Sequence, residues 1–253
     1  GIMDQPVMIK DGVYWIGALD PGLVVFDIVI PTKHGTTYNS YLVKGEKIAV
    51  IETVKSYCVD GFISKIRSLV RPEDIDYIII NHTEPDHSGG LIRLMELAPN
   101  AIPVFSRGAR TFVKNILHKE FDYKEVKAGD SIDLGGKVLK FISAPFLHWP
   151  DTMFTYLETD KILFPCDAFG SHYCSDKRFN DELDSKEDAF TAYEFYYDTI
   201  LRPFKKYVID ALENIKDIDI DIIAPSHGPI LRENIEKYID AYREWAGKTK
   251  KYP

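Results

Sequence analysis

Cysteine is scarce in this chain of 253 residues. Its three cysteines are Cys58, Cys166 and Cys174, and no two of them form a CxxC pair. An odd and widely spaced set excludes a disulfide framework and favours a reducing compartment, so we expect a cytoplasmic protein. Because Cys166 follows an apolar run, it is interpreted as a small buried side chain.

Long apolar runs and an excess of positive charge are also missing. No stretch approaches the roughly 20 apolar residues that a membrane-spanning helix needs. The opening GIMDQPVMIKDG has neither the basic nor the apolar region of a signal peptide. The 39 acidic and 31 basic residues give a formal net charge of −8. This balance argues against nucleic acid or an anionic membrane as the main partner.

Runs typical of β-strands and helices alternate along the whole chain. The β-like runs are rich in β-branched and aromatic residues, and in the N-terminal part they predict an antiparallel sheet. The predicted strands are VYWIG (13–17), LVVFDIVI (23–30), TTYNSYLV (36–43), KIAVIE (47–52), DYIII (76–80), VLKFIS (138–143), MFTYLE (153–158), KILFP (161–165) and DIDIDIIAP (217–225). Helical spacing of apolar residues predicts helices over 59–70, 91–97, 189–200, 204–214 and 231–245.

The order of these runs predicts an α/β fold in a single domain, residues 1–253. A β-rich half with helices is followed by another of the same kind. This order fits two mixed sheets packed face to face with helices outside. The charged segment 176–188 is interpreted as a solvated loop.

Ligand-capable side chains recur where predicted strands end. His82 follows an apolar strand, and His148, Asp167 and His227 follow three others. A rigid strand fixes the loop at its end, and functional side chains often lie there. A single histidine in such a place is more often structural, but four such sites on neighbouring strands predict a metal site.

The loop NHTEPDHSGG (81–90) is the densest of these segments. His82, Glu84 and Asp86 are spaced by two, so in an extended backbone they would face one side. Asp86 and His87 would then point apart unless the chain turns. The proline inside the loop and the two glycines after it favour such a turn. One loop can therefore serve two metals roughly 3.5–4 Å apart.

HTEPDH (82–87) is similar to the HxExDH motif of the flavodiiron proteins, within the metallo-β-lactamase superfamily. APFLHWPDTM, LFPCDAFGSH and PSHGPI resemble the later ligand segments of that family at matching separations. KHGTTYNSYLV (33–43) and EFYYDTILRPF (194–204) look like the family as well. The resemblance covers essentially the whole chain. It implies a metallo-β-lactamase-like αββα sandwich and a non-haem diiron centre.

The resemblance assigns seven residues as metal ligands. They are His82, Glu84 and His148 for one iron, Asp86, His87 and His227 for the other, and Asp167 as the bridge between them. Four imidazoles and three carboxylates form a harder and more anionic set than an imidazole-dominated zinc site. Hydrolases of the superfamily usually have histidine where this chain has Glu84, and a carboxylate there stabilises Fe(III). Zinc also accepts carboxylates and stays an alternative.

Four further residues are expected at the pocket. His172 resembles a histidine near the family's active site, with a buried structural role as the alternative. Tyr196 aligns with a tyrosine that lines the pocket, although a plain core aromatic fits equally. Trp149 is expected to pack over the neighbouring ligand. Many family members have a Phe-His pair where this chain has Asp27 after a phenylalanine, which would change the polarity or proton supply of the pocket.

The expected cofactors are two iron ions, Fe2+ or Fe3+, with a bridging oxo, hydroxo or peroxo species. The sequence ends about where the family's flavodoxin-like domain would begin, and it has no phosphate-cradling loop after a strand. We therefore expect no FMN site within residues 1–253, and FMN only on a separate partner. The chain would then be either a natural single-domain protein or a shortened one.

The resemblance implies a protein that binds and reduces O2, NO or both. Without its own flavin, it would rely on a separate flavoprotein or rubredoxin-like electron donor. A second hypothesis is an O2 sensor that relays the state of its diiron centre to a signalling protein. A zinc hydrolase of the same superfamily is a third. A homodimer is expected from the family alone, and neither nucleic acid nor a membrane is expected as a partner.

Overall fold

The computed structural model describes residues 5–23, 25, 26, 30, 31, 33–118 and 120–247. Its strands, in chain order, are β1 (Val7–Lys10), β2 (Val13–Trp15), β3 (Ala18–Asp20), β4 (Val25–Phe26), β5 (Ile30–Pro31), β6 (Thr36–Tyr38), β7 (Tyr41–Lys44), β8 (Ile48–Ile51), β9 (Tyr77–Ile80), β10 (Ile102–Ser106), β11 (Lys124–Val126), β12 (Ser131–Asp133), β13 (Val138–Ser143), β14 (Met153–Leu157), β15 (Ile162–Phe164) and β16 (Ile222–Ile223). Its α-helices are α1 (Val59–Leu69), α2 (Pro85–Ser88), α3 (Leu91–Leu97), α4 (Arg110–Leu117), α5 (Lys186–Tyr196), α6 (Lys205–Ile215) and α7 (Ile235–Gly247).

Two mixed sheets contain most of these strands. The larger has the order β1-β2-β7-β8-β9-β10-β11, antiparallel from β1 to β8 and parallel from β8 to β11. The smaller has the order β12-β13-β14-β15-β16, with only its last pair parallel. The strand pairs β3-β6 and β4-β5 lie apart from these two sheets. The antiparallel N-terminal sheet that the sequence predicts is confirmed.

Apolar side chains alternate between the two faces of each sheet. In β9, Ile79 belongs to the core between the sheets, whereas Ile78 and Ile80 face the core under the helices. This alternation follows from the two-residue repeat of a strand. The outer core of the larger sheet contains side chains of α1, α3 and α4, and that of the smaller sheet those of α5, α6 and α7. The predicted αββα layering is thus confirmed.

Several predicted strands have different bounds in the structure. TTYNSYLV forms two strands with different partners, because the backbone N–H of Asn39 donates to the carbonyl oxygen of Ser226 and not to a neighbouring strand. The strand before this break, β6, pairs with β3, and the strand after it, β7, pairs with β2 and β8. LVVFDIVI contributes the short strands β4 and β5, and residues 27–29 lie outside the described chain. DIDIDIIAP pairs only at Ile222–Ile223. The sequence does not predict the strands β1, β3, β10, β11 and β12 or the helix α4.

The charged segment 176–188 is only partly solvated. Arg178, Phe179 and Asn180 are buried in it, and the Arg178 guanidinium lies 4.9 Å from the ring centroid of Trp15. The interpretation of this segment as a solvated loop is therefore wrong for residues 178–180.

None of the helices in the described ranges has the length and apolar character to cross a bilayer.

Candidate metal centre

The seven predicted ligands lie together beside one end of the two sheets. His82 and Glu84 follow β9, and Asp86 and His87 lie in α2, a single helical turn that starts at Pro85. This turn supplies the change of direction that the loop sequence predicts. The other three ligands are held by the connections after β13, β15 and β16, and they are His148, Asp167 and His227.

One half of the cluster collects around one carboxylate oxygen of Asp167. Asp167 Oδ2 lies 3.4 Å from His82 Nε2 and 3.0 Å from His148 Nε2. Glu84 Oε2 lies 3.6 Å from His82 Nε2 and 3.2 Å from His148 Nε2. Two imidazoles and two carboxylates therefore face one small volume.

The other half collects near the second oxygen of the same carboxylate. Asp86 Oδ2 lies 2.9 Å from His227 Nε2 and 3.3 Å from His87 Nε2, and the two imidazole nitrogens are 3.1 Å apart. Asp167 Oδ1 lies 3.7 Å from His227 Nε2 and 4.0 Å from His87 Nε2. Asp167 thus turns one oxygen to each half of the cluster.

These spacings fit donor atoms arranged around metal ions. Ligands bound at about 2.0–2.2 Å from one ion are separated from each other by roughly 3.0–3.5 Å. Buried polar atoms normally have a hydrogen-bond partner, yet five side-chain atoms of the seven predicted ligands have no well-formed hydrogen bond among the described residues. They are His82 Nε2, Glu84 Oε2, Asp86 Oδ1, His87 Nδ1 and Asp167 Oδ2. His82 Nε2, Glu84 Oε2 and Asp167 Oδ2 face one another, and a cation between them would satisfy all three, so the residues present fit metal ions.

The ionisation of the carboxylates in this cluster also bears on metal binding. Burial alone would raise the pKa of Asp167, but the neighbouring His82 and His148 hold that pKa well below its usual range. Burial likewise opposes ionisation of Asp86, and His87 and His227 lower its pKa in spite of it. The carboxylates are therefore ionised, and the same pairing raises the pKa of His148 to about 10. Metal ions that bind this cluster would replace the protons that the histidines hold in the metal-free protein.

Comparison with known proteins supplies the family. The sequence profile described as "ODP family beta lactamase" matches residues 36–228, which include every predicted ligand. The chain belongs to this family. The relatives of this ODP domain include the flavo-diiron protein FprA2 of Clostridium acetobutylicum, 46% identical, and the nitric oxide reductase of Moorella thermoacetica, 41% identical. Each match covers 98% of this chain and 64% of the relative.

A solved structure confirms the fold of the ODP domain. The rubredoxin oxygen:oxidoreductase of Desulfovibrio gigas superposes with a TM-score of 0.93 at 30% identity, over 97% of this chain and 62% of that one. The resemblance to flavodiiron proteins is thereby confirmed. The chain spans somewhat less than two thirds of the length of these relatives.

In this ODP domain, the strand segment 36–41 holds the loop that carries His227. His227 Nδ1 lies 2.6 Å from the carbonyl oxygen of Thr37, so Nδ1 donates there and Nε2 is the nitrogen directed to the cluster. The backbone N–H of Gly228 donates to Thr37 Oγ1, and Asn39 Nδ2 donates to the carbonyl oxygens of Pro225 and Gly228. These bonds give the TTYN segment a supporting role at the candidate site.

Glu52 is a residue that the sequence reading missed. Its buried carboxylate lies 3.3 Å from His82 Nδ1 and also accepts the backbone N–H of His82 at 3.1 Å. A carboxylate on the outer nitrogen of a histidine orients the ring and strengthens its other nitrogen as a ligand. Glu52 directly follows β8, so the strand-end pattern that indicates the other ligands would have found it.

The structure places the predicted pocket residues at different distances from the cluster. His172 Nδ1 lies 2.8 Å from Thr36 Oγ1, and burial together with His227 lowers the pKa of His172 to about 3, so the ring is neutral. Tyr196 is buried, with its ring 4.9 Å from His172 and 6.2 Å from His227. These contacts place both residues beside the cluster, as predicted.

Trp149 and Asp27 complete the predicted set. The indole N–H of Trp149 donates to Thr83 Oγ1, and its ring lies 6.5 Å from that of His148, so it packs beside this ligand. Asp27 lies outside the described residues. The thiol of Cys166 is buried as predicted, close to Glu52 and His82.

Proposed function

We propose that this chain holds two iron ions and reduces O2, NO or both, with electrons from a separate donor. Asp167 carries the proposal, because each of its carboxylate oxygens faces a different trio of ligand-capable side chains. In this assignment, His82, Glu84 and His148 bind one iron, Asp86, His87 and His227 bind the other, and Asp167 bridges them. Two bound ferrous ions would supply a place for a diatomic molecule and two electrons.

The surrounding side chains fit a reaction on a small neutral molecule. His148 is the most exposed of the seven predicted ligands, with 18% of its side chain accessible, so the opening to solvent lies on its side. His172 is neutral and Tyr196 is buried, and both lie next to His227. A neutral imidazole and a phenol can donate or accept a hydrogen bond without adding charge to the pocket.

The names of two relatives indicate the kind of electron donor. These relatives are a "flavo-diiron protein" and a "rubredoxin oxygen:oxidoreductase". We infer that a flavoprotein carrying FMN, or a small rubredoxin-like protein, delivers electrons to this domain. Reduction of O2 to water needs four electrons, and the two ferrous ions hold two. Reduction of two NO molecules to N2O needs only two.

Metal analysis combined with rapid mixing tests the proposal. Protein loaded with Fe2+ without oxygen should contain two irons per chain and little zinc, and Asp167→Ala should abolish the paired loading. Asp133→Ala is the matched control, because it removes an exposed carboxylate from β12 in the smaller sheet. The diferrous protein should consume O2 or NO faster when a reduced flavoprotein is added.

Three outcomes would contradict the proposal. Zinc in place of iron after loading in a mixture of both would favour a hydrolase. Two irons retained by Asp167→Ala would show that the ligand assignment is wrong. An oxygenated form that persists unchanged in the presence of reduced donor would contradict the reductase and favour the sensor.

A further inference from the structure

Two tyrosines connect the metal cluster to the protein surface. Tyr38, in β6, is fully buried, and its ring centroid lies 5.8 Å from that of His227 and 6.3 Å from that of His87. Tyr57 has 62% of its surface exposed, and its ring lies 6.1 Å from the ring of Tyr38. The aromatic rings therefore follow one another at short spacing from the predicted ligands to solvent.

A chain of hydrogen bonds accompanies these rings. The hydroxyl oxygens of Tyr38 and Tyr57 are 3.1 Å apart, and the Tyr57 hydroxyl donates to Asp20 Oδ2. With that proton directed to the carboxylate, the Tyr57 oxygen is left to accept the hydroxyl of Tyr38, which also lies 3.4 Å from the same Asp20 oxygen. Each phenol thus has a neighbour that can take its proton.

From this arrangement we propose that Tyr38 and Tyr57 form a one-electron path between the metal pair and the surface, with Asp20 as the proton acceptor. The inference rests on the proposed function. O2 needs four electrons to become water, so a centre that has delivered two and lacks a donor remains a strong oxidant. The path would let the protein's surface supply the missing electrons one at a time.

Tyr38 would give one electron to the oxidised metal pair, and its O–H bond would break as the proton passes to the Tyr57 oxygen while the original proton of Tyr57 moves to the carboxylate of Asp20. Tyr57 would then return an electron and a proton to Tyr38. The net change is a neutral Tyr57 radical, a protonated Asp20 and one electron on the metal pair. An external one-electron donor such as ascorbate restores the phenol.

The local charges require that the electron and the proton leave together. Lys55 Nζ lies 5.9 Å from the ring centroid of Tyr38 and 5.6 Å from that of Tyr57. A nearby ammonium group disfavours a bare cation radical on either ring. Burial and the hydrogen bond to Asp20 raise the pKa of Tyr57 to about 12, so at neutral pH the phenol keeps its proton until it is oxidised.

Freeze-quench electron paramagnetic resonance tests the path. The diferrous protein is mixed with O2 without any donor, and iron content is measured on each sample. The unsubstituted chain should show a tyrosyl radical that ascorbate removes quickly, and should form dityrosine cross-links between molecules through exposed Tyr57. Tyr57→Phe should lose the cross-links and leave a buried radical that ascorbate removes slowly. Tyr38→Phe should lose the radical.

Tyr156→Phe is the matched control, because it removes a hydrogen-bonded phenol from β14 in the smaller sheet. It should retain both the radical and the cross-links. Two irons per chain with no radical, or the same radical and cross-links in all variants, would overturn the path while leaving the proposed function in place. Failure to bind two irons would overturn both.

Discussion

At the scale of single residues, the two carboxylates of Glu52 and Asp167 decide how the histidines are used. Asp167 turns its two carboxylate oxygens towards two different groups of ligand-capable side chains. Glu52 lies on the outer side of one of these groups, next to the ring of its histidine. His82 therefore has a carboxylate at both ring nitrogens. A histidine held in this way presents one defined nitrogen to a metal ion.

Removal of the Glu52 carboxylate should weaken metal binding on the His82 side. Loss of such a supporting group typically lowers metal affinity by about 10- to 100-fold. We therefore expect Glu52→Ala to bind one Fe2+ with normal affinity and the second much more weakly, in anaerobic titrations read by calorimetry. Glu52→Gln keeps an oxygen that can accept from His82, so its loss should be smaller. Normal binding of both ions by Glu52→Ala would contradict this role.

At the scale of elements, the residues between β6 and β7 hold neighbouring segments of the candidate site in place. Residues 39 and 40 leave the ladder to bind the loop after β16 and the end of β8. The strand pattern of TTYNSYLV predicts a continuous strand, because the side-chain repeat is the same in both halves. The partners of Asn39 come from more than 180 residues further along the chain, whereas those of Ser40 lie 11 and 12 residues away.

Asn39→Ala should therefore release the loop that carries His227. The substitution removes two hydrogen bonds to loop carbonyls and one from the Trp15 indole. Buried partners left unpaired cost about 1–3 kcal/mol each. We expect iron loading to fall from two towards one per chain, measured by metal analysis, together with a lower free energy of unfolding.

Trp15→Phe is the control for this prediction, because it removes the indole partner of Asn39 and leaves the loop bonds intact. Its iron content should stay near that of the unsubstituted protein. Equal losses of iron in the two variants would mean that Asn39 acts through general stability and not through the His227 loop.

At the scale of the whole molecule, the site depends on two sheets packed against each other. The larger sheet supplies the loop after β9, and the smaller sheet supplies the connections after β13, β15 and β16. The ligands from the two sheets meet because the core between the sheets fixes their separation. That core contains closely packed apolar side chains from both sheets.

Leu139→Ala should lower stability without touching the ligands. Leu139 is fully buried in β13 between the sheets, and such truncations cost about 2–5 kcal/mol. Urea unfolding of the metal-free protein should show this loss. Ile92→Ala, at a position 48% exposed on α3, serves as the comparison and should change little. Equal stabilities of the two variants would argue against a tight core between the sheets.

The sequence by itself determined the αββα layering and the set of ligand-capable residues. Alternating apolar residues predict buried strands, and the polar residues that follow them indicate where a site can form. The same local pattern also indicates Glu52. It does not predict where β6, β7 and β16 begin and end, because these bounds depend on hydrogen bonds with distant partners.

Only the tertiary structure decided how those residues are held and connected. The resemblance already implies two trios around Asp167, and the structure shows how closely the side chains of each trio approach one oxygen of that carboxylate. The support of His227 by Thr37 and the line from His87 through Tyr38 to Tyr57 also join segments far apart in the chain. Strand periodicity repeats every two residues and carries no information about which loops meet. The packing of the two sheets supplies that information, since it fixes the distances over which metals, protons and electrons can be shared.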